Sequence, residues 1–295
     1  MIGVLNVYKE KGYTSHDVVA IMRRIAKTKK VGHTGTLDPD ATGVLPICIG
    51  RATKLAEYLA SADKTYVAEV ILGLETNTGD ISGEVLVTKP VKYDHDAIIA
   101  AVNSFTFGRR GEYMQIPPMF SAIKIGGKKL YELARKGEII DRPARPVIIH
   151  EIKVLNFAPE KNSFTLEVKC SKGTYIRSLA MDIGHTLGCG ATMGTLERTQ
   201  SGIFDISTAV KLDELKEAAE SDRLSDFLMP VDKLLTYKKI MLPESEAAYA
   251  KNGNPLPSSL VDDAKAGDKF WICDSNGIIG LFVLSKSKLR AEVML

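Results

Sequence analysis

The sequence predicts a mixed α+β protein, built on a mainly antiparallel sheet flanked by helices, with a thumb-like insertion and a small C-terminal β-barrel-like domain. Three observations support this prediction. Apolar and polar residues alternate through Phe164–Cys170, as in an antiparallel strand with one face in water. Segments with an apolar stripe of helical spacing lie between such strands at irregular intervals. This pattern disfavours a doubly wound parallel sheet. Near the C-terminus, Asn276-Gly277 separates two apolar runs, which is a strong hairpin signal.

The N-terminal residues predict two strands and two helices. The apolar run Ile2–Val7 is typical of a buried strand. Ser15 is predicted to cap a helix that ends near Ala26, because a hydroxyl side chain there precedes an apolar stripe of helical spacing. Val44–Ile49 is a second apolar strand, and Leu55–Leu59 marks a brief helix after it.

The middle of the chain predicts a strand, a helix and an insertion. Lys64–Leu72 has strand composition and leads into a turn over Thr76–Gly83. Asp94 is predicted to cap the next helix. Residues 108–146 contain a Pro-Pro and a Gly-Gly pair, and we expect an irregular insertion that reaches out from the core, with a short helix at Leu130–Arg135.

The second half of the chain predicts the rest of the sheet and a separate C-terminal unit. A helix should follow Gly173, a strand should run over Ala191–Thr199, and Leu212–Ala219 should form a surface helix. We expect one large domain over residues 1–235 and a small β-domain over residues 240–295. The strands of the small domain are predicted at Lys269–Cys273, Ile278–Leu284 and Leu289–Met294.

The most unusual stretch of the sequence is Val31–Val44. It carries three glycines, three threonines, one histidine and two aspartates within fourteen residues. Pro39 favours an extended backbone at Asp38, and the glycines allow backbone angles that other residues avoid. We therefore expect a tight polar loop that presents Asp38, and such loops on a rigid scaffold often carry function.

Composition excludes several classes of protein. The 295 residues, of which 45% are hydrophobic and 25% charged, are typical of a globular protein with a large core. No apolar run is long enough to cross a bilayer, and the short N-terminal run is followed at once by charged residues, unlike a signal peptide. The four cysteines are scattered, which argues against a disulfide framework or a zinc site. We expect a cytoplasmic monomer with no membrane partner.

The net charge is only +3, but basic residues concentrate in two windows. Residues 1–54 and residues 108–146 each carry nine lysines and arginines against four acidic residues, so each window has a net charge of +5 and the remainder has −7. This distribution fits a polyanionic partner. Two ordinary solvated basic surfaces are the alternative interpretation.

Three local clusters could carry chemistry: the loop with Asp38 and Asp40, the Lys64-Thr65-Tyr66 segment, and Gly173–Arg177. An aspartate in such a loop can be a nucleophile, a general base or a magnesium ligand, or it can simply bond its own backbone in a turn. Arg177 could orient this carboxylate and favour its charged form. Tyr66 offers a stacking face and a hydroxyl, and His33 could stack on a base. The residues alone leave these possibilities open.

Taken together, these segments resemble the tRNA pseudouridine synthase B (TruB) family. Gly32–Pro46 resembles the catalytic motif of that family, and the order of the other segments agrees: Lys9–Val18, Lys64–Tyr66, Thr78–Asp80, the thumb segment Gln115–Lys124, and Gly173–Leu179. The resemblance covers about residues 1–235, and the tail 240–295 is consistent with the PUA-like RNA-binding domain of the family. The sequence departs from the family pattern at four positions. Glu10 replaces a proline, Phe120 a tyrosine, Thr192 a histidine and Glu197 an arginine.

The resemblance implies an isomerase that converts uridine 55 in the T-loop of tRNA to pseudouridine, with the base flipped out of the loop and without a cofactor or a metal. Asp38 would be the essential carboxylate, Arg177 would pair with it, and Tyr66 would stack on the uracil and help to remove its C5 proton. Attack on the sugar, addition to the ring and removal of a sugar proton are all open to the carboxylate. The resemblance also implies RNA-binding or pocket roles for His33, which would replace the flipped base, and for Lys9, Thr36, Leu196 and Lys124.

Two other classes of function compete with this interpretation. One is a non-catalytic tRNA-binding or tRNA-folding protein of the same fold, which the presence of Asp38, Tyr66 and Arg177 together disfavours. The other is a metal-dependent phosphoryl-transfer enzyme that uses Asp38 and Asp40. The sequence has no Walker-type spacing, and activity in the presence of EDTA would decide between the two kinds of chemistry.

Overall fold

The computed structural model describes residues 1–106 and 112–295, which fold as a mixed α+β structure. Within these two ranges, no helix is long and apolar enough to span a membrane. The helices of the described residues are α1 (Ser15–Ile25), α2 (Ala56–Ala60), α3 (His95–Asn103), α4 (Leu130–Ala134), α5 (Ile176–Thr186), α6 (Leu212–Glu220), α7 (Val231–Leu234) and α8 (Glu244–Lys251).

The strands of the described residues form one large sheet, a five-stranded C-terminal sheet and two small hairpins. They are β1 (Gly3–Lys9), β2 (Val31–His33), β3 (Thr42–Ile49), β4 (Lys64–Leu72), β5 (Leu74–Thr76), β6 (Val85–Thr88), β7 (Glu112–Gln115), β8 (Lys124–Ile125), β9 (Lys128–Lys129), β10 (Arg145–Ala158), β11 (Ser163–Cys170), β12 (Ala191–Ser201), β13 (Phe204–Asp205), β14 (Leu228–Met229), β15 (Lys238–Met241), β16 (Leu256–Pro257), β17 (Lys269–Asp274), β18 (Gly277–Ser285) and β19 (Lys288–Met294).

The large sheet has the order β14-β1-β3-β12-β4-β11-β10-β7, with β2 on β3 and β13 on β12. Its neighbouring strands run antiparallel except for β3 and β12, which are parallel. The predicted mixed and mainly antiparallel sheet is therefore confirmed. The parallel pair matters for the site, because it places the end of the polar loop beside the middle of β12.

The main core lies between this sheet and helices α1, α3, α5 and α6. The residues predicted to form the buried stripe of α5 are at most 4% exposed: Ile176, Leu179, Ala180 and Ile183. Because apolar contacts anchor α5 along its length, Arg177 at its second position has a fixed place above the sheet.

Helix α1 is capped by Thr14 and not by Ser15, so that prediction was wrong. The Thr14 hydroxyl accepts a hydrogen bond from the Asp17 N–H, and the Asp17 carboxylate accepts one from the Thr14 N–H, which is a capping box. The Ser15 hydroxyl is buried and bonds the backbone of Leu37 in the polar loop. Because Thr14 caps the helix, the Ser15 hydroxyl is available to hold the polar loop.

The predicted insertion proves to be more regular than expected. Residues 108–111 of the predicted range lie outside the described residues, and both ends of the remainder belong to the large sheet, because β7 pairs with β10 and places Gln115 opposite Arg145. Between the ends, the hairpin β8–β9 and helix α4 pack on a small apolar cluster of their own, with Met119, Leu130 and Leu133 at its centre. The predicted short helix is confirmed. Residues 116–123 and 135–144 carry no helix or strand, as expected of an irregular insertion, and the hairpin β8–β9 is a regular element that the prediction lacked.

The C-terminal sheet has the order β15-β17-β18-β19-β16 and encloses its own core with Phe270, Ile272 and Phe282. The hairpin predicted at Asn276-Gly277 joins β17 to β18. A second apolar cluster joins this unit to the large sheet, and in it the fully buried Trp271 donates a hydrogen bond through its indole N–H to the Leu235 carbonyl at 3.0 Å. The division of the chain between residues 235 and 240 stays a prediction.

Candidate active site

The loop that presents Asp38 is held on both sides of that residue. Before it, the buried Leu37 donates through its N–H to the Ser15 hydroxyl at 2.9 Å, and the hydroxyl donates to the Leu37 carbonyl at 3.2 Å. After it, the Ala41 N–H donates to the Asp38 carbonyl at 3.1 Å and closes a turn with Pro39 at its second position. The backbone that carries the carboxylate therefore has one place relative to α1.

Lys9 supports the same turn from inside the protein. The residue is fully buried, and its ammonium group donates to the carbonyls of Tyr13 at 2.6 Å, Pro39 at 2.9 Å and Glu10 at 3.1 Å. Burial lowers the pKa of Lys9 to about 8, although the negative charge of Asp38 opposes this shift. All three donor positions of the ammonium group are used on backbone carbonyls, so Lys9 holds the turn in place.

Arg177 and Asp38 form an ion pair at the centre of the candidate site. Nε of Arg177 lies 3.0 Å from Oδ2 of Asp38, and Nη2 lies 3.3 Å from Oδ1, which is the two-point geometry of a guanidinium on a carboxylate. The arginine side chain is 5% exposed and the aspartate side chain 40%. The pair is thus closed on the arginine side and open to a ligand on the carboxylate side.

Further contacts fix the Arg177 guanidinium from three directions. Nη1 donates to the Thr78 carbonyl at 3.1 Å, and Nη2 donates to the Phe120 carbonyl at 2.8 Å. A second carboxylate, Asp80, lies 3.8 Å from Nε. The TruB family usually has a tyrosine at the position of Phe120. Because Phe120 contacts Arg177 through its main-chain carbonyl, this replacement leaves the contact unaffected.

Burial is the largest influence on Asp38 and raises the pKa of its carboxyl above the usual range. The Arg177 charge lowers this pKa, as the sequence suggested, and Asp80 raises it again. The expected preference for the charged form is therefore weaker than the ion pair alone implied, because desolvation opposes it.

Arg198 on β12 is a buried cation that ties both ends of the polar loop together. Its Nε donates to the Val44 carbonyl at 2.7 Å and its Nη2 to the Gly35 carbonyl at 3.2 Å, and the residue is 1% exposed. Opposite Arg198 lies Gly43 with a φ of +103°, where a Cβ would come within 2.2 Å of the Arg198 carbonyl oxygen. Only glycine fits there, so one loop glycine of the motif has a direct packing reason.

Tyr66 on β4 pairs with Arg198 across the antiparallel ladder and is partly buried against the main core. Burial raises the pKa of the Tyr66 hydroxyl, the neighbouring Arg198 guanidinium lowers it, and the Asp38 carboxylate raises it. Tyr66 is therefore a neutral hydroxyl at physiological pH, beside a cation and within the field of the candidate carboxylate.

The structure brings some of the other predicted residues to this site and leaves one apart. His33 ends β2, and its ring meets the His16 ring edge-on at 5.9 Å. Thr36 is exposed two residues before Asp38, and Leu196 is buried on β12 opposite Ala68. Lys124 is exposed on the hairpin β8–β9 of the insertion and makes no hydrogen bond or ion pair with Asp38 or Arg177.

Sequence reasoning did not single out Arg198 or Asp80 as site residues, although both lie in segments that it examined. An arginine on a strand and an aspartate in a turn are ordinary surface features in a single sequence. Their burial and contacts depend on strand order, which is not encoded locally. The parallel pairing of β3 and β12 is the feature that brings Arg198 to the loop.

Asp40 does not join Asp38 in a metal site. Its carboxylate is exposed on the turn and lies 3.9 Å from the Lys11 ammonium group. In the part of the chain that the structure describes, no group of three or more histidine, cysteine, aspartate or glutamate side chains is placed to hold a metal ion. Asp40 is thus an ordinary turn residue.

The fold and the family models identify a pseudouridine synthase, an enzyme of the isomerase class. Residues 23–176 match the model of the TruB family pseudouridylate synthase N-terminal domain, and residues 177–236 match that of the tRNA pseudouridylate synthase B C-terminal domain. The chain therefore belongs to the TruB family, as the sequence motifs indicated.

Curated relatives and solved structures agree with this membership. The chain is 50% identical over 266 residues to tRNA pseudouridine synthase B of Alkaliphilus oremlandii (strain OhILAs), with 89% of this chain and 85% of the relative covered. It is 44% identical over 298 residues to the protein of the same name from Clostridium tetani (strain Massachusetts / E88), with both chains fully covered. A chain in the crystal structure of a Cbf5–Nop10–Gar1 complex matches with a TM-score of 0.74 at 28% identity, covering 99% of this chain and 84% of that one.

Proposed function

We propose that this protein isomerises uridine 55 in the T-loop of tRNA to pseudouridine, acting on a base that is flipped out of the loop. The C1′–N1 bond of the nucleotide breaks, the uracil turns within the site, and a C1′–C5 bond forms. Relatives at 44–50% identity bear the name tRNA pseudouridine synthase B, which supports tRNA as the substrate. A base inside a folded loop must leave the stack before its glycosidic bond can be reached.

The observation that carries the proposal is the half-open ion pair of Asp38 and Arg177. A buried arginine holds the carboxylate at two points, and the backbone on both sides of Asp38 is clamped, so the carboxylate meets a ligand in one orientation. Fixed orientation of a reacting group contributes to catalysis because less freedom is lost in the transition state.

The other residues have roles that follow from their places. Tyr66 offers a ring for stacking on the uracil, and its neutral hydroxyl is available for transfer of the C5 proton. His33, at the edge of the loop, would occupy the space that the flipped base leaves, and Thr36 would contact the RNA from the exposed side of the loop. Leu196 would line the pocket below the base. Lys9 acts on the RNA only indirectly, through the turn that it holds.

The insertion supplies the electrostatic part of the proposed binding. Lys124 and its neighbours Lys128 and Lys129 lie together on the exposed hairpin β8–β9, where they can contact phosphates of a tRNA stem. Such contacts give affinity without reading sequence, so selection of the T-loop would depend on RNA shape.

Incubation of the protein with unmodified tRNA transcript, followed by mapping with carbodiimide-dependent reverse-transcription stops, tests the proposal. A stop at uridine 55 that requires the protein is the expected result, and it should persist in EDTA because the proposed isomerisation calls for no metal ion. A transcript with uridine 55 replaced by cytidine is the matched control. Binding of tRNA without any stop would instead indicate a non-catalytic tRNA-binding protein.

A further inference from the structure

Three side-chain contacts connect the start of the insertion to the start of helix α5. Gln115 bonds the backbone of Tyr175, Ser178 donates through its hydroxyl to the Ile116 carbonyl at 2.9 Å, and Arg177 donates to the Phe120 carbonyl. We call residues 115–120 the insertion base and residues 175–178 the helix start. Every one of these contacts ends on a main-chain group, so each one fixes the position of a backbone.

Gln115 makes the most constrained of the three contacts. Its Oε1 accepts from the Tyr175 N–H at 2.7 Å and its Nε2 donates to the Tyr175 carbonyl at 3.0 Å, so the side-chain amide pairs with the residue as a neighbouring strand would. Gln115 is 1% exposed. The Tyr175 carbonyl also accepts from the Leu179 N–H inside α5, but the Tyr175 N–H has Gln115 as its partner.

The position of Tyr175 contributes to the position of Arg177, together with the apolar packing of α5. Tyr175 is the N-cap of α5, makes no side-chain cap bond, and lies two residues before Arg177. A helix start without a side-chain cap leaves its first N–H groups dependent on other partners. The Gln115 amide is one such partner, and it comes from the insertion and not from the helix.

We propose that Gln115 is a positioning residue that holds Arg177 opposite Asp38, by fixing the backbone of Tyr175 at the start of α5. The proposal rests on the proposed function for its effect on turnover. Its effect on the ion pair does not depend on that function. Through this contact, the segment proposed to grip RNA and the guanidinium of the site form one mechanical unit.

Gln115→Met tests the proposal, since methionine keeps the length of the side chain and removes both hydrogen bonds. At saturating enzyme, the single-turnover rate of pseudouridine formation should fall by at least about tenfold, while the dissociation constant for tRNA changes by less than about twofold. Gln200→Met is the matched control. Gln200 also donates to a main-chain carbonyl, that of Gly202 at 3.1 Å, but it has no contact with the helix start, and both quantities should stay unchanged.

A measurement independent of activity separates this inference from the proposed function. The Asp38 carboxyl of aspartate-labelled protein can be titrated by ¹³C NMR, with Asp38→Asn assigning its signal. Arg177 lowers the pKa of Asp38, while Asp80 and Asp40 raise it and Lys9 lowers it. If Arg177 moves away in Gln115→Met, the pKa of Asp38 rises further, because the charge that lowers it is then more distant. An unchanged pKa would overturn the inference, whether or not the wild-type protein makes pseudouridine.

If Gln115→Met does not fold, Ser178→Ala decides the question with the same two measurements. It removes the neighbouring link to the Ile116 carbonyl and leaves Gln115 in place. A rate reduced by about threefold with unchanged tRNA affinity, together with a raised Asp38 pKa, supports the coupling of insertion base and helix start. A rate and a pKa equal to those of the wild type would refute it.

Discussion

Arg177 approaches Asp38 with Nε at 3.0 Å from Oδ2, and the two side chains differ eightfold in exposure, at 5% and 40%. The arginine has its other partners in the protein, whereas the carboxylate has free surface in front of it. The fold therefore orients the Asp38 carboxylate from one side and leaves its other side exposed to solvent. Variants of Asp38 should for this reason report on chemistry more than on folding.

Asp38→Asn is expected to bind tRNA with an affinity close to that of the wild type and to lose pseudouridine formation by about a thousandfold or more. The asparagine keeps the size of the side chain but removes the charge that Arg177 orients. Binding is measured by filter retention and turnover by reverse-transcription stops. Mass spectrometry excludes deamidated protein, and turnover by a clean variant would contradict the assigned role.

The pH dependence of turnover should show an acid limb above the usual pKa of an aspartate. Burial raises the pKa of Asp38, so the active carboxylate is lost as the pH falls through a value higher than normal. Asp80 contributes to this rise, and Asp80→Asn should therefore move the limb to lower pH. Single-turnover rates between about pH 4.5 and 8 check this. A limb that stays in place or moves upward would show that Asp80 does not act on Asp38.

Arg198→Lys should destabilise the protein by about 2 to 4 kcal/mol, even though the charge is kept. The lysine cannot bond the Val44 and Gly35 carbonyls at once, because it lacks the planar fork of the guanidinium. The free energy of unfolding in urea measures the loss. Arg290→Lys on the exposed side of β19 is the matched control, and equal midpoints for the two variants would contradict the structural role.

Replacing residues 122–140 with a short glycine-serine linker should weaken binding of a T-arm stem-loop by at least about tenfold. The replaced part contributes most of a small apolar cluster that is separate from the main core and leaves only Met119 and Phe120 of it, so the thermal midpoint of the core should change by only about 3 °C or less. The linker leaves the Phe120 carbonyl in place for Arg177. The milder triple variant of Lys124, Lys128 and Lys129 to glutamine tests the charges alone, and unchanged affinity in both would argue against an RNA-gripping insertion.

Much of the fold could be predicted, because long segments with a regular apolar period are recognisable in the sequence. Strand β4 was predicted at Lys64–Leu72, where it lies, and the apolar stripe of α5 is buried as expected. Strand β10 had no predicted counterpart, although it is the longest strand of the described residues. Its pairing with β11 shifts register twice, between Ile149 and Glu151 and between Val154 and Asn156, so its burial pattern loses the period of two that the prediction relied on.

The site was predictable to the extent that its residues lie in recognisable motifs. Asp38, Tyr66 and Arg177 were predicted in this way, and their roles stay proposals. The observed contact between Asp38 and Arg177 depends on α5 standing over the loop. Gln115 and Arg198 were not predicted to act near them. Their effects depend on buried side chains reaching backbone groups about 60 and 150 residues away in sequence, and no local pattern reveals such pairs.

Strand β3 follows the loop of Asp38 and is buried on both faces, with Leu45 and Ile47 in the main core and Val44 and Cys48 against Trp271. The strand contributes to both clusters and pairs with β1, β2 and β12, so the two clusters share one structural element. The protein should consequently unfold in a single cooperative transition that includes the C-terminal sheet. Removal of that sheet is expected to destabilise the large sheet as well. It would expose one whole face of the strand that follows the Asp38 loop and should leave an aggregation-prone remnant.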